Sequence, residues 1–241
     1  MKHYAFKDLI IFENENYIVV NKPAFLASLD ERGATGKNEA NVLRMAKIYS
    51  PDAQISHRLD KETSGALVIA KNPEAYRHLP IQFEKRKVQK IYHAVVDGQY
   101  QFSNLLVDLP ILNEGNKNVT IDKAQGKRAE TYFNAIQFFK HYTLVECKPI
   151  TGRMHQIRIH LATQRAAICG DDMYRGKPVY LSKIKKGYRL TDEEEQPIMK
   201  RFALHAKQIS FLDLNGEELT VIAPYPKDFS TLLKLLEKYD A

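Results

Sequence analysis

Two stretches of the sequence concentrate side chains that are suited to chemistry on an anionic or polar partner. The first, ISHRLDKETSGALVIAKN (55–72), places His57, Arg58 and Asp60 in a polar turn that leads into an apolar run. Charges beside a buried strand are costly unless they are paired or solvated, so we expect this turn at the edge of the core. The alternative is an ordinary charged turn in which Asp60 caps the backbone.

The second stretch, PITGRMHQIRIHLA (149–162), interleaves hydrogen-bond donors with apolar residues. The donors are Arg153, His155, Gln156, Arg158 and His160. Such a group on a half-buried element is suited to holding a phosphate or orienting a carboxylate, and the alternative is a basic helix face. A metal site is not expected, because HQIRIH differs from the helical HExxH pattern and no third ligand stands out.

Other chemistries receive no support. The sequence lacks a Walker A motif, a GxGxxG fingerprint and a GxSxG elbow, so no nucleotide cofactor or serine nucleophile is expected. Its two cysteines, Cys147 and Cys169, are expected to be buried thiols rather than a disulfide or zinc ligands. Tyr92, taken alone, is typical of an aromatic residue on a strand.

Composition indicates the class of partner. The 241 residues include 36 Lys and Arg against 29 Asp and Glu, a net charge of +7, which fits a polyanion such as nucleic acid. No apolar run approaches the roughly 20 residues needed to span a bilayer. The N-terminal residues lack the features of a signal peptide, so we expect a cytoplasmic protein without membrane contact.

The hydrophobic pattern predicts more strands than helices. Strands are predicted at 9–12, 17–23, 65–72, 89–98, 129–139 and 142–150, with a further pair over 204–223. Helices are predicted at 40–49, 73–87 and 227–239. Residues 153–164 fit either a strand or a helix, and length favours a helix. We therefore expect an α+β fold in which helices flank a central, mixed, mostly antiparallel sheet.

These stretches resemble the RluA-type pseudouridine synthases. HRLDKETSGALVIAKN resembles the segment that carries the family's catalytic Asp. Further blocks that match in order are YIVVNKPAFL, KIYHAVVDG, GRMHQIRIHLA with ICGDDMYRG, ALHAKQISF and APYPKDF. The likeness runs from about residue 9 to residue 229. It implies a single catalytic domain over 1–241, without the family's N-terminal RNA-binding domain and with a charged insertion around 177–201.

The resemblance also implies roles for individual residues. Asp60 matches the catalytic Asp, and Arg58 matches an Arg that enters the space vacated by a flipped nucleotide. Tyr92 matches a Tyr that stacks on the target uracil and takes up its C5 proton. Arg158 matches the residue that ion-pairs with the catalytic carboxylate. Further RNA contacts are expected from His57, Arg153, His155, Gln156, Lys183, Lys185, Lys186 and Arg189.

The activity implied is isomerisation of uridine to pseudouridine in ribosomal or transfer RNA, by an enzyme with no cofactor or metal that acts as a monomer. Asp60 would serve as a nucleophile or as a base. Two other functions stay open. One is a non-catalytic RNA-binding or ribosome-assembly protein with the same fold, and the other is a glycosylase that releases the base.

Overall fold

The computed structural model describes residues 4–30, 40–115, 118–189 and 194–241. The chain divides into two compact units. The first unit comprises Met1–Lys90 and Ala206–Pro224, and the second comprises Ile91–His205 and Tyr225–Ala241. The expectation of one catalytic domain over 1–241 stays a prediction.

The elements of the described ranges follow in chain order. The helices are α1 (Phe6–Leu9), α2 (Val42–Tyr49), α3 (Pro73–Glu84), α4 (Gln156–Thr163), α5 (Leu181–Ile184) and α6 (Lys227–Tyr239). The strands are β1 (Ile10–Glu13), β2 (Tyr17–Lys22), β3 (Ser64–Ala70), β4 (Gln89–Asp97), β5 (Leu105–Asp108), β6 (Ile111–Gly115), β7 (Asn118–Ile121), β8 (Glu130–Phe138), β9 (Tyr142–Pro149), β10 (Leu204–Leu212) and β11 (Glu218–Ile222).

The sheet of the first unit has the strand order β1-β2-β3-β10, and β11 pairs with β10. All seven residues of β3 are buried, as its continuous apolar sequence predicts. Helix α3 begins as expected, because the Asn72 side chain accepts a hydrogen bond from the Ala75 N–H and Pro73 occupies the first turn. Val68 of β3 and Leu79 of α3 lie in one apolar cluster, so α3 packs against the sheet.

The second unit is built on the strand order β4-β9-β8-β5, and β6 and β7 form a separate two-stranded ribbon. Strands β8 and β9 pair antiparallel, which confirms the predicted hairpin. Helix α6 begins and ends where the sequence predicts, and its apolar face is buried in the core of this unit. Strands β5, β6 and β7 were not predicted, because each has only four or five residues.

The predicted α+β fold with a mostly antiparallel sheet and helices is confirmed. Helix α4 begins three residues later than predicted because His155, with φ 53°, adopts a left-handed conformation that cannot continue a right-handed helix. In the part of the chain that the structure describes, no helix is long and apolar enough to cross a membrane.

Candidate active site

Asp60 lies in the first unit, in an irregular segment between α2 and β3. Leu59 is only 3% exposed and anchors this segment in the core. Arg58 is exposed and Asp60 is half-buried, so the two charged residues lie on either side of an apolar anchor. The Thr63 N–H donates to the carbonyl oxygen of Asp60 at 3.0 Å and closes the turn that leads into β3.

A buried lysine fixes the backbone directly after Asp60. Lys22, at the end of β2, is 0% exposed. Its ammonium donates to the carbonyl oxygens of Leu26, Pro23 and Lys61 at 2.9, 3.1 and 3.2 Å. A buried ammonium is tolerated only where its donors are satisfied, so these bonds hold the loop after β2 and the Asp60 segment together. We call this arrangement the Lys22 clamp.

Further hydrogen bonds join the same two segments. The Ser28 hydroxyl accepts from the Leu59 N–H at 3.1 Å and donates to the Leu59 carbonyl oxygen at 3.0 Å. The Phe25 N–H donates to the carbonyl oxygen of Lys61 at 2.7 Å. The backbone on both sides of Asp60 is therefore held by bonds that do not depend on the Asp60 carboxylate.

His57 ties the start of the segment to β3. The Val68 N–H donates to His57 Nε2 at 3.0 Å, so the ring carries its proton on Nδ1. The ring centroid lies 4.8 Å from that of Phe83. Burial, with a smaller contribution from the charge of Lys90, lowers the pKa of His57 to about 3, so the ring is neutral near pH 7. Its expected contact with RNA stays a prediction.

The close approach of β10 explains why a glycine, Gly65, stands at the entry to β3. Its φ is +118°, and a Cβ at this position would lie 2.2 Å from the carbonyl oxygen of Ala206 on β10. A side chain would therefore strain the backbone and push β10 away from β3. Glycine at this point lets the strand start directly behind the Asp60 turn.

Arg158 lies in the second unit, on α4, and forms a buried ion pair with Asp171. Its Nε and Nη2 donate to the two carboxylate oxygens of Asp171, each at 2.7 Å. The side chains are 7% and 1% exposed. The guanidinium carbon also lies 4.3 Å from the ring centroid of Phe202 and 5.1 Å from that of Tyr174. Two parallel bonds and two rings fix the plane of the guanidinium, and Nη1 lies outside the pair with Asp171.

The turn 168–176 supplies the partners of α4. Gly170 has φ +80°, and a Cβ on Gly176 would lie 1.8 Å from the carbonyl oxygen of Ile168, so both glycines are needed for the tight turn. The Tyr174 hydroxyl lies 3.1 Å from Nδ1 of His155. This block matches the family in sequence, but no role was predicted for Asp171 or Tyr174. The sequence feature that indicates a partner for Arg158 is an acidic residue, Asp171, beside a glycine and close in sequence to Arg158.

Gln156 is used within the protein itself. Its side-chain oxygen accepts from the Thr151 hydroxyl at 2.7 Å and from the Arg153 N–H at 3.0 Å. Its amide nitrogen donates to the Glu130 carbonyl oxygen at 2.9 Å and to the Thr131 hydroxyl at 3.0 Å. Gln156 is 4% exposed and holds the sharp entry to α4 against β8. Its expected RNA contact stays a prediction.

His160 continues this network on the next turn of α4. Its Nε2 lies 3.0 Å from the Leu109 carbonyl oxygen, which only accepts, so Nε2 carries the proton. The Thr131 hydroxyl then donates to Nδ1 at 2.9 Å. Burial lowers the pKa of His160, and the ring serves as a neutral link between α4 and β8.

Two further candidate residues lie in the second unit. Arg153 is exposed, and its Nε donates to the Arg128 carbonyl oxygen at 3.1 Å. Tyr92 lies on β4, opposite Cys147 of β9, and its half-buried ring packs against the core of the unit. The structure therefore brings Arg153, His155, Gln156 and Arg158 together around the start of α4, and Tyr92 lies on a strand of the same unit.

The charged insertion is partly packed. Lys183, Lys186 and Arg189 are exposed, whereas Lys185 is half-buried with its ammonium 5.4 Å from the Tyr239 ring centroid. Residues of the insertion that join the core of the second unit are Val179, Ile184 and Met199. The segment is therefore anchored at several points rather than being a wholly solvated loop. Part of its acidic run, at 192–193, lies outside the described residues.

Cys147 and Cys169 are free and buried, as predicted, and burial raises the pKa of both thiols. Within the described ranges, no group of three or more His, Cys, Asp or Glu side chains is arranged to hold a metal ion.

The regions of the chain that match known proteins include residues of both units. Residues 16–163 match the family model of the RNA pseudouridylate synthases. The chain is 36% identical to the ribosomal large subunit pseudouridine synthase C of Vibrio vulnificus over 95% of its length and 70% of that protein. It is 32% identical to the ribosomal large subunit pseudouridine synthase D of Zymomonas mobilis, over 94% of the chain and 72% of that protein.

Solved structures give the same result. The human RNA pseudouridylate synthase domain containing 4 matches with a TM-score of 0.71 and 25% identity, covering 96% of this chain and 95% of that one. The human RNA pseudouridylate synthase domain containing 1 shares the fold, with a TM-score of 0.68 at 24% identity over 94% of this chain and 87% of that one. The chain therefore belongs to the RNA pseudouridylate synthase family, and the predicted resemblance, fold and isomerase class are confirmed.

Proposed function

We propose that this protein isomerises uridine to pseudouridine in ribosomal RNA, with Asp60 as the catalytic carboxylate. The relatives named above are synthases of the large ribosomal subunit, which supports ribosomal over transfer RNA. The observation that carries the proposal is the position of Asp60. It is half-buried, in a segment whose backbone is held on both sides by the Lys22 clamp and by Ser28.

The fixed backbone serves the reaction because catalytic groups act only from a defined geometry. The reaction breaks the N1–C1′ bond, rotates the uracil and joins C5 to C1′; C5 loses a proton and N1 gains one, so the change is an isomerisation. Asp60 assists the bond cleavage as nucleophile or base. In the roles that the family resemblance gives them, Tyr92 stacks on the uracil and accepts the C5 proton, and Arg158 keeps the Asp60 carboxylate ionised.

Arg58 has a separate role in this proposal. A uracil within a duplex must leave the stack before it reaches a catalytic group, which costs a few kcal/mol. Arg58 is exposed and lies two residues before Asp60. Its guanidinium fills the space that the flipped nucleotide leaves and so offsets part of that cost.

The test compares Asp60→Asn with wild type on a ribosomal RNA transcript, with Asp52→Asn as the matched control. Asp52 is an exposed turn residue of the same unit. We expect Asp60→Asn to lose pseudouridine formation while keeping RNA binding, and Asp52→Asn to behave as wild type. Nucleoside mass spectrometry gives the product. If the wild-type protein bound the RNA but formed no pseudouridine, it would be a non-catalytic RNA-binding protein. If it released free uracil and left an abasic site, it would be a glycosylase.

The exposed cations are proposed to contact RNA phosphates. Lys183, Lys186 and Arg189 are exposed on the insertion, so their replacement by Gln is expected to flatten the salt dependence of RNA binding. The slope of log K against log salt is negative, and each lost phosphate contact reduces its magnitude by about 0.7 to 0.9. Lys185→Gln is the internal comparison, because this ammonium lies over the Tyr239 ring and is half-buried. An unchanged slope for the triple variant would contradict the proposed contacts.

We further propose that the enzyme acts in the cytoplasm as a monomer without a metal ion. Full activity after treatment with EDTA, and elution as a single copy in size-exclusion chromatography, are the expected results. Loss of activity that added Mg²⁺ or Zn²⁺ restores would contradict the metal-free reaction.

A further inference from the structure

Phe25 combines an exposed aromatic ring with an unfavourable backbone conformation. Its φ is +67°, in the left-handed region that bulky side chains rarely adopt. The residue is 56% exposed, whereas the next residue, Leu26, is 9% exposed and packs inward. Among the described residues, no aromatic pair includes Phe25. Burial of the ring within the protein therefore does not compensate for the strained backbone.

The position of Phe25 is fixed in spite of its exposure. Its N–H donates to the Lys61 carbonyl oxygen at 2.7 Å. Carbonyl oxygens on either side of it, those of Pro23 and Leu26, accept from Lys22 of the clamp. A loop held in this way presents its ring in one orientation, so little conformational freedom is lost when a partner stacks on it.

The segment that holds the backbone of Phe25 carries two exposed cations, together with the acidic residues Asp60 and Glu62. Lys61, whose backbone holds Phe25, is exposed, and so is Arg58 in the same segment. Asp60 precedes Lys61 directly. An exposed ring beside exposed cations is the combination with which proteins bind unpaired nucleotides, because bases stack on the ring and phosphates pair with the cations.

We propose that Phe25 stacks on an unpaired nucleobase that flanks the target uridine and so helps to select RNA sites. This inference rests on the proposed function, because it places the flanking nucleotide beside the candidate catalytic segment. The base on Phe25 is distinct from the target uracil, to which Tyr92 is assigned. Stacking uses the face of the base, so Phe25 selects an unstacked neighbour rather than a particular base.

The experiment uses substitutions that separate the ring from the backbone. Phe25→Trp keeps an aromatic face, Phe25→Leu keeps an apolar side chain without one, and Phe25→Asn suits a left-handed backbone but lacks the ring. Phe138→Leu is the control, because Phe138 is 53% exposed on β8 of the second unit. Affinity for a ribosomal RNA fragment, KM and kcat for pseudouridine formation, and the thermal midpoint are measured for each variant.

We expect Phe25→Leu and Phe25→Asn to weaken RNA binding by about 5- to 150-fold, the range for loss of one stacked base. The loss should fall on KM rather than kcat, with no decrease in thermal midpoint. Phe25→Trp should bind as wild type, and Phe138→Leu should change nothing. Wild-type affinity in Phe25→Leu would overturn the proposal, and so would equal losses in the Trp and Leu variants.

A fluorescent base locates the stacked nucleotide. 2-Aminopurine is placed in turn at each position that flanks the target uridine. At one position, the emission should change on binding to wild type and to Phe25→Trp but not to Phe25→Leu. The same change with Phe25→Leu would overturn the proposal. The wild-type and Asp60→Asn reactions report the proposed function separately, so it can hold while the inference about Phe25 fails.

Discussion

Lys22→Met tests whether the clamp positions the catalytic segment. The substitution keeps an unbranched side chain of similar length but removes the ammonium that donates to Pro23, Leu26 and Lys61. A buried carbonyl that loses its donor costs about 1–3 kcal/mol. Removal of the buried ammonium offsets part of this loss. The Lys61 carbonyl oxygen keeps the hydrogen bond from the Phe25 N–H, so two carbonyls lose their donor. We therefore expect the free energy of unfolding to fall by roughly 2 kcal/mol.

The chain contains no Trp, so unfolding in urea is followed by far-ultraviolet circular dichroism. The control is Lys207→Met, because the Lys207 ammonium donates to the Ala223 carbonyl oxygen at 3.1 Å, and we expect a smaller loss of about 1 kcal/mol.

The second measurement is kcat for pseudouridine formation under conditions where Lys22→Met stays folded. Displacement of a catalytic group by about 1 Å can cost about 100-fold, so we expect kcat to fall by at least about ten-fold. Lys207→Met should keep its kcat. If Lys22→Met matched the control in both stability and kcat, the clamp would have no part in positioning Asp60, and the reasoning would be refuted.

Three further predictions concern stability. Asp171→Asn should lower the free energy of unfolding by about 3–5 kcal/mol in urea, because it removes the buried carboxylate that pairs with both Nε and Nη2 of Arg158; a loss below 1 kcal/mol would contradict this. Gly65→Ala should lower the thermal midpoint, because a Cβ would lie 2.2 Å from the Ala206 carbonyl oxygen; an unchanged midpoint would show that β10 adapts. Burial holds the pKa of His57 near 3 against 6.5 ordinarily, so between these values the unfolded state binds more protons and stability falls as pH falls; urea titrations should show a flatter dependence for His57→Gln.

The fold was largely predictable where local sequence determines it. The apolar run of β3 and the amphipathic pattern of α6 gave correct elements, since burial dominates both. Strand β5 was missed because it is short and pairs with β8, which is distant in sequence. Strands β6 and β7 pair with each other but are too short to show a clear apolar pattern. The start of α4 was misplaced because the left-handed conformation of His155 depends on its tertiary contacts.

Some features of the candidate site were also predictable from the local sequence, and others were not. The residue types around Asp60 and Arg158 predicted the two segments that form the candidate site, and their roles in the reaction stay predictions. The buried pair of Arg158 with Asp171 and the Lys22 clamp could not be predicted, because each depends on side-chain directions across separate elements. Gln156 shows the reverse case. Its place among basic residues indicated a ligand contact, but the structure uses both ends of its amide to hold α4 to β8.

The clamp has a consequence for how this enzyme can diverge. The ammonium of Lys22 bonds to main-chain oxygens, which every amino acid offers, so it does not constrain which side chains the loop carries. Residue 25 can therefore be replaced by other residues that tolerate a positive φ without loss of the bonds that fix the loop. Substrate preference can then change at the surface, while the hydrogen bonds that hold the segment of the proposed catalytic carboxylate stay the same.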